Sequence, residues 1–188
     1  APCDGGGRGV CSSASAQART ATTKASSEVK PILSDDLTQA ATAPPTDALP
    51  GALPLTDLDH ALIAAANDTL ARHYRTFWHT VAAAIRSKDG RIWTGIHIGT
   101  TVGRLAVCAE AVAFGPAVLE GDGTIETAVA VRHPKPEEVD RELAVVSPCG
   151  ACREMIMDHA PVAGIILMAP TGLVKLPIRT LLPVPYRR

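Results

Sequence analysis

The chain has 188 residues, of which 46% are hydrophobic and 20% are charged, and this balance is typical of a globular domain with its own core. Its 18 basic and 19 acidic residues give a net charge of −1, and it contains only two residues each of Phe, Trp and Tyr. These values exclude a strongly basic nucleic-acid-binding protein and an aromatic platform for single strands, and no apolar run is long enough for a membrane span, so we predict no nucleic-acid and no membrane partner.

The first part of the chain differs in composition from the rest. Residues 1–54 contain a triple glycine starting at Gly5 and a proline-rich stretch around Pro44 and Pro45, among many Ala, Ser and Thr residues. Such a segment buries little apolar surface, so we predict a disordered N-terminal tail over 1–54 and a folded domain over 55–188. The five cysteines, two of them in this tail, indicate metal-binding thiols in a reducing, cytoplasmic compartment rather than a disulfide framework.

The domain alternates helical and strand patterns. Thr56 with Asp59 three residues later resembles a capping box, and apolar residues recur at helical spacing up to Leu70. Asp89-Gly90 between two apolar runs predicts a hairpin turn. The predicted helices cover 58–70, 105–119, 149–159 and 178–182, and the predicted strands cover 81–85, 91–98, 125–131, 143–146, 164–169 and 173–176. This order predicts an α/β three-layer sandwich around one mixed sheet.

Two short motifs carry the chemistry. Cys108-Ala109-Glu110 lies at the start of one predicted helix, and Cys149 and Cys152 lie at the start of another. Helix N-termini favour thiolates, and three ligands leave the fourth position of a tetrahedral Zn²⁺ open to water. Glu110 is not needed as a ligand, so it can move protons at that water. The set predicts zinc-dependent hydrolysis at an amidine-like carbon, as in an aminated pyrimidine.

Two other uses of these cysteines are possible. A structural zinc site needs four ligands, and it would have to recruit His97, His133 or a cysteine of the tail. A redox Cys-x-x-Cys pair would leave Cys108 and Glu110 without a role. The excess negative charge of three thiolates also requires a cation or N–H donors nearby, and Arg153 and Arg104 are the candidates.

The sequence resembles the zinc-dependent cytidine deaminase family, and within it the free-nucleoside branch that includes blasticidin S deaminase. The resemblance covers about 80–186, and a cysteine rather than a histidine at position 108 is typical of that branch. It implies a three-layer α/β/α sandwich with one mixed five-stranded sheet. The segments that carry it are 81–85, 88–92, 94–95, 107–110, 147–153 and 181–183.

The resemblance also implies roles for single residues. Cys108, Cys149 and Cys152 would bind zinc, and Glu110 would be the general acid and base. The backbone of Ala109 would hold the pyrimidine. The other implied substrate contacts are the carbonyl of Ser147, facing the departing amine, and Tyr186, where relatives place an aromatic side chain that reaches a neighbouring subunit. A homo-oligomer, either a tetramer or a dimer, is therefore expected.

The sequence departs from the family where the substrate is bound. Relatives that act on cytidine carry Asn-x-Glu for the ribose hydroxyls, and this chain has His97-Ile98-Gly99 there. His79 stands where relatives usually place an aromatic residue against the base. We therefore predict a zinc-dependent hydrolytic deaminase of a cytosine nucleoside or nucleoside-like compound, of the cytidine, deoxycytidine or blasticidin S type, with His97 and His79 as substrate-binding candidates. The alternative is a catalytically inactive, zinc-stabilised nucleoside-binding protein, and nucleic-acid editing is disfavoured.

Overall fold

The computed structural model describes residues 49–186, which form a layered α/β domain. Four helices and six strands follow one another along this part of the chain, with a short 3₁₀ turn at Gly103–Leu105. The helices are α1 (Asp57–His73), α2 (Ala109–Glu120), α3 (Gly150–His159) and α4 (Ile178–Leu181). The strands are β1 (Val81–Arg86), β2 (Ile92–Ile96), β3 (Thr127–Arg132), β4 (Ala144–Val146), β5 (Gly164–Ala169) and β6 (Gly172–Pro177).

All six strands join one mixed sheet, so the expectation of five strands is wrong in this detail. The order across the sheet is β2-β1-β3-β5-β6, and β4 also pairs with β3. The extra strand fits because β5 pairs in parallel with Thr127–Val129 of β3, whereas β4 pairs antiparallel with Ala130–Arg132 of the same strand. Strands β4 and β5 thus pair with different stretches of β3, and the continuous order β2-β1-β3-β5-β6 contains five of the six strands.

Helices cover both faces of the sheet, and the predicted three-layer architecture is confirmed. Successive side chains of β1 point to opposite faces of the sheet. Ala82 and Ala84 belong to the apolar cluster under α1, and Ala83 and Ile85 belong to the cluster under α2 and α3. Small alanine side chains allow the helices of both layers to lie close to the strand. The result is two cores on opposite faces of the sheet, and the α2–α3 layer is the one that carries the cysteines.

Helix α2 begins four residues later than predicted. The sequence predicts a helix over 105–119, yet α2 starts at Ala109. The reason is an isolated bridge in which Ile98 and Val107 exchange two backbone hydrogen bonds of 3.0 Å, which holds the chain extended just before the helix. Cys108 consequently occupies the N-cap of α2, as Cys149 does in α3.

The described chain contacts the domain before residue 55. Leu53 exchanges two backbone hydrogen bonds with Lys175 of β6, at 2.9 and 3.0 Å, and Leu49 and Ala52 pack against the core. The tail predicted over 1–54 lies outside the described residues up to position 48. Within the described part, no helix is both long and apolar enough to cross a membrane.

A buried ionic network joins α1 to the sheet. Asp59 is fully buried, and its carboxylate accepts hydrogen bonds from Lys175 Nζ at 2.6 Å and Arg86 Nη2 at 3.2 Å. The same side chain completes the predicted capping box with Thr56. Burial raises the pKa of Asp59, but the hydrogen bonds from Lys175, Thr56 and Arg86 outweigh it and lower this pKa from 3.8 to about 2. Removing the charge of Asp59 would take the ion-pair partner from Lys175 and would leave Arg86 paired with Glu126 alone among the described residues.

We therefore expect Asp59→Asn to lower the free energy of unfolding at pH 7 by roughly 3–5 kcal/mol. Because the folded-state pKa is depressed, the stabilisation is present above pH 4 and is lost as the pH falls towards 2, so the gap to the unmodified protein narrows there. Urea unfolding at pH 7 and at pH 2.5 measures both effects. Asp57→Asn, at an exposed position of the same helix turn, is the matched control, and equal losses for the two variants would contradict the prediction.

Candidate active site

Three cysteine sulfurs come together where the N-termini of α2 and α3 meet. Cys108 and Cys149 are the N-cap residues of these helices, and Cys152 lies in the first turn of α3. The three Sγ atoms all lie within 4.8 Å of one another, with 3.5 Å between those of Cys108 and Cys149. The fold thus brings together ligands that are 41 residues apart in the chain.

The thiols differ in their readiness to lose a proton. Burial raises the pKa of Cys152, which is 2% exposed, and the charge of Glu110 raises it further. Burial and the Cys149 thiol raise the pKa of Cys108. Burial also acts against ionisation of Cys149, but a hydrogen bond from the backbone N–H of Cys152 and contacts with both other thiols lower its pKa overall. One thiolate is therefore favoured by the protein itself, and a bound cation is needed to stabilise the other two.

The cluster fits zinc. Tetrahedral Zn²⁺ with Zn–S bonds of about 2.3 Å requires sulfurs roughly 3.8 Å apart, which lies between the 3.5 Å of the Cys108–Cys149 pair and the 4.8 Å that bounds all three distances. The residues described supply three sulfur donors, and such a set of three is typical of sites that keep one position open for a reactant.

Glu110 lies beside the sulfurs in a small cavity. Its side chain is 6% exposed, and the cavity has a volume of about 150 Å³. The cavity lies where α2 and the loop before α3 meet the ends of β1 and β3. Its walls are formed by Val81, His97, Cys108, Ala109, Glu110, Ala130, Val146, Ser147 and Cys149. A buried carboxylate next to three thiols can exchange protons with a small molecule held there.

Most predicted substrate contacts lie at this cavity. Ala109, Ser147 and His97 line it directly. His79 does not line it, but its Nδ1–H donates to the carbonyl of His97 at 2.8 Å and so supports that residue. Tyr186 is not among the lining residues; its side chain is 76% exposed, and its backbone N–H donates to the carboxylate of Glu154.

His97, the residue after β2, contributes a polar side chain to the wall of the cavity. Burial and the nearby His79 lower the pKa of His97, although Glu110 acts in the other direction. The ring is therefore neutral at pH 7 and offers one donor and one acceptor nitrogen. Its Nδ1 is buried and has no hydrogen-bond partner within residues 49–186.

Arg153 fixes the loop that carries the cysteine pair. Its guanidinium donates to the carbonyl of Pro148 at 2.9 Å, to Ser147 Oγ at 3.0 Å and to the carbonyl of Leu181 at 3.3 Å. The sequence suggested Arg153 as a cation that compensates thiolate charge, and the structure shows it holding the loop to the C-terminal helix. The apolar wall residues Val81, Ala130 and Val146 were missed, because nothing in a strand pattern shows which end borders a cavity.

Position 99 has no room for a side chain, which explains why it is a glycine. A Cβ at this position would lie 2.7 Å from the carbonyl oxygen of Phe77 and 3.0 Å from Trp78 Cα. Its N–H donates to the Trp78 carbonyl at 2.7 Å, which clamps the turn 75–79 onto the chain after β2. The turn backbone therefore fills the space in which the resemblance placed a ribose-binding glutamate.

We expect Gly99→Ala to lower the free energy of unfolding by about 1–3 kcal/mol, because backbone atoms of the turn must move to admit the methyl group. Gly103→Ala is the matched control, since a Cβ there meets nothing within 4 Å. Urea unfolding of both variants measures the difference. Equal stability of the two variants would show that the turn 75–79 is not clamped as described.

Comparisons with known proteins agree with this geometry. The chain is 45% identical over 130 residues to blasticidin-S deaminase from Bacillus cereus, which covers 69% of this chain and 93% of that protein. The crystal structure of cytidine deaminase from Mycobacterium leprae matches with a TM-score of 0.54 and 26% identity, over 69% of this chain and all of that one. That of cytidine deaminase from Bacillus anthracis shares the fold, with a TM-score of 0.59 and 22% identity, over 69% of this chain and 90% of that one.

Fold, cysteine cluster and relatives together define the class: this is a zinc-dependent hydrolytic deaminase. More narrowly, the chain belongs to the cytidine and deoxycytidylate deaminase family, whose zinc-binding region matches residues 56–168. The resemblance read from the sequence is confirmed.

Proposed function

We propose that the protein deaminates a cytosine nucleoside or nucleoside-like compound of the cytidine, deoxycytidine or blasticidin S type. One observation supports this most: the buried carboxylate of Glu110 borders the same 150 Å³ cavity as Cys108 and Cys149, two of the three clustered cysteines. The 45% identity to a blasticidin-S deaminase favours a substrate of that kind. Gly99 also favours a substrate of the blasticidin S type, because it provides no side chain to bind the ribose hydroxyls of cytidine.

In this proposal Cys108, Cys149 and Cys152 hold zinc, which when bound makes a water molecule acidic enough to act as a nucleophile near neutral pH. Glu110 takes a proton from the attacking water and delivers it to the ring nitrogen next to the reacting carbon. The water oxygen adds to that carbon as a hydroxyl. Glu110 then takes the hydroxyl proton and passes it to the amine, the C–N bond breaks, and the amine leaves as ammonia, so an amino group is exchanged for a keto group.

The other wall residues orient the substrate. The backbone of Ala109 holds the pyrimidine, and the carbonyl of Ser147 accepts a hydrogen bond from the departing amine. His97 offers a neutral ring to the part of the substrate beyond the base, supported by the hydrogen bond from His79. Glu110 is only 6% exposed, which limits the contact of bulk water with its carboxylate during the proton transfers.

To test this, zinc-loaded protein is incubated with cytidine, deoxycytidine and blasticidin S. The release of ammonia and the change in ultraviolet absorbance are then measured. Release from at least one compound is the expected result. Tight binding of a nucleoside without ammonia release from any of the three would instead support an inactive, zinc-stabilised binding protein. Weak and salt-insensitive binding to single-stranded nucleic acid is expected in parallel.

We also propose that the protein is a homo-oligomer, a tetramer or a dimer. Several large apolar side chains are exposed in the single chain, among them Phe77 at 82%, Leu105 at 59% and Val184 at 85%. Tyr186 does not line the cavity at Glu110 of its own chain, and in an oligomer it would contact the same cavity of a neighbouring subunit. Light scattering at several protein concentrations measures the mass, and a monomer at all of them would overturn this proposal.

A further inference from the structure

The helix that carries Glu110 lies in direct backbone contact with the edge strand β2. A Cβ added at Gly95 would lie 2.3 Å from the amide nitrogen of Ala113 and 2.4 Å from the carbonyl oxygen of Ala109. In an α-helix these two atoms are the donor and the acceptor of one hydrogen bond, because they belong to residues four apart. The backbone of β2 at Gly95 therefore faces the first turn of α2, and no side chain separates the two.

The other end of α2 is held to the same strand by side chains. A Cβ at Gly121 would lie 2.6 Å from Trp93 Cζ2, so the indole ring fills the space beside the end of the helix. Arg91 covers that ring, with 4.1 Å between its Cζ and the ring centroid, and its Nη1 donates to the carbonyl of Glu120 at 2.6 Å. The indole Nε1–H donates to Ser87 Oγ at 2.6 Å. These contacts fix the C-terminal end of α2 to β2.

Strand β2 is itself held in place by the sheet. It pairs antiparallel with β1 from Ile92 to Ile96, and Gly95 lies opposite the fully buried Ala83. β1 in turn pairs with β3 over its whole length. Because the sheet and the far end of α2 are both fixed, a group added at Gly95 displaces the first turn of the helix. Its backbone atoms must move by roughly 1 Å to reach ordinary contact distances.

The cysteine cluster depends on where this first turn lies. Cys108 is the N-cap residue of α2, whereas Cys149 and Cys152 belong to the start of α3. The loop before α3 is fixed separately, by the hydrogen bonds of Arg153. The distance between the two parts of the cluster is therefore set by the placement of α2. A tetrahedral Zn²⁺ tolerates only a narrow range of distances between its sulfur ligands.

We propose that Gly95 is a positioning residue of the metal site. By leaving the first turn of α2 in contact with the backbone of β2, it sets the distance from Cys108 to the cysteine pair of α3 and the place of the Glu110 carboxylate. Within residues 49–186, Gly95 is not one of the residues that line the cavity at Glu110, so it acts through the helix and not on a substrate. Its expected effect on turnover rests on the proposed deaminase function, and its effect on metal binding does not.

Gly95→Ala is compared with Gly121→Ala, which forces a methyl group against the other end of the same helix. Both variants are expected to lower the melting temperature of the zinc-loaded protein, by about 4–10 °C. Only Gly95→Ala is expected to change the site. Its kcat per bound zinc should fall about 10²-fold, because a misplacement of about 1 Å is enough for such a loss. Its zinc affinity, measured by competition with a zinc-binding dye, should fall about ten-fold.

Cobalt(II) in place of zinc provides a measurement that needs no substrate. The visible absorption of Co²⁺ bound by thiolates depends on the coordination geometry. The absorption bands should therefore shift in Gly95→Ala and stay unchanged in Gly121→Ala. A loss of stability alone does not change the spectrum of folded, metal-loaded protein, and circular dichroism shows that each variant is folded. The spectrum thus separates a positioning role from a merely structural one.

A second pair of variants tests the same contact from the helix side. Ala113 and Ala117 are both fully buried and lie one turn apart in α2. Ala113→Val adds bulk at the residue whose backbone lies nearest Gly95, so it should shift the cobalt spectrum and lower kcat as Gly95→Ala does. Ala117→Val is the matched control and should lower the melting temperature alone. If Gly95→Ala does not fold, this pair decides the question.

The outcomes distinguish this proposal from the proposed reaction. An unchanged cobalt spectrum with an unchanged kcat in Gly95→Ala would overturn the positioning role, whatever the loss of stability. Equal spectral shifts in Gly95→Ala and Gly121→Ala, or in Ala113→Val and Ala117→Val, would also overturn it. A shifted spectrum in Gly95→Ala alone, with no ammonia released from any compound by the unmodified protein, would overturn the proposed reaction and retain the positioning of the metal site.

Discussion

Replacing Glu110 with glutamine is expected to lower kcat by roughly 10²–10⁴-fold, the range in which positioned proton-transfer groups contribute. The amide cannot accept a proton from water or deliver one to the ring nitrogen and the amine. The change keeps the shape of a side chain that is 6% exposed, so the fold and the cysteine cluster should be retained. Steady-state ammonia release and zinc content by mass spectrometry measure the two effects together.

Glu120→Gln provides the matched control for this experiment. Glu120 is exposed and lies in the last turn of α2, whereas Glu110 lies in the first turn. It should retain both turnover and zinc. If Glu110→Gln turned over substrate at the unmodified rate, the carboxylate would have no part in the proton transfers. If it lost zinc, the carboxylate would instead be acting on the metal site.

The second large effect is expected from Cys152→Ala. Cys152 is 2% exposed and contributes one of three clustered sulfurs, so its loss leaves two donors from different helices. Structural zinc sites bind Zn²⁺ with a free energy on the order of 10–16 kcal/mol. Because only three side chains provide this free energy here, the loss of one of them should lower the zinc affinity by roughly 10²–10³-fold. Turnover at limiting zinc should be lost, and the melting temperature should fall to that of the chelator-treated protein.

Competition with a zinc-binding dye measures this affinity, and calorimetry measures the melting temperature. Cys11→Ala, which removes a cysteine outside the described residues, should bind zinc as the unmodified chain does. A zinc affinity equal to that of the unmodified chain in Cys152→Ala would show that the metal lies elsewhere. Retained affinity with lost stability would assign Cys152 to packing in the α3 core.

The sequence predicted the architecture because the local patterns agree with the tertiary fold. The Asp-Gly turn, the capping box at Thr56 and the helical spacing up to Leu70 each describe interactions between neighbours in the chain. The start of α2 was predicted wrongly because the bridge between Ile98 and Val107 closes an irregular loop, and no helical or strand periodicity records such a bridge. The strand count was wrong for a related reason, since two strands share one side of β3.

The cysteine cluster was easier to predict from the sequence than the walls of the cavity beside it. Cysteine and glutamate at fixed spacing indicate a chemistry by themselves, and the structure brings the three sulfurs together. The space around the substrate depends on packing that no motif records. Gly99 is an example: the sequence shows a missing side chain, and only the structure shows the backbone of Phe77 in its place. The cavity at Glu110 likewise joins segments more than 50 residues apart, since Val81 and Ser147 both line it.

The parallel pairing of β3 and β5 has a consequence for the order of folding. A parallel pair requires a crossover, and here the crossover from β3 to β5 includes α3 with Cys149 and Cys152. The antiparallel β1–β2 hairpin can form early from neighbours in the chain, whereas the β3–β5 pair needs a long loop to close first. Because the cysteine pair lies in this crossover, we expect it to meet Cys108 only as the sheet closes. Metal binding should then favour the closed sheet over a chain in which β3 and β5 are still apart.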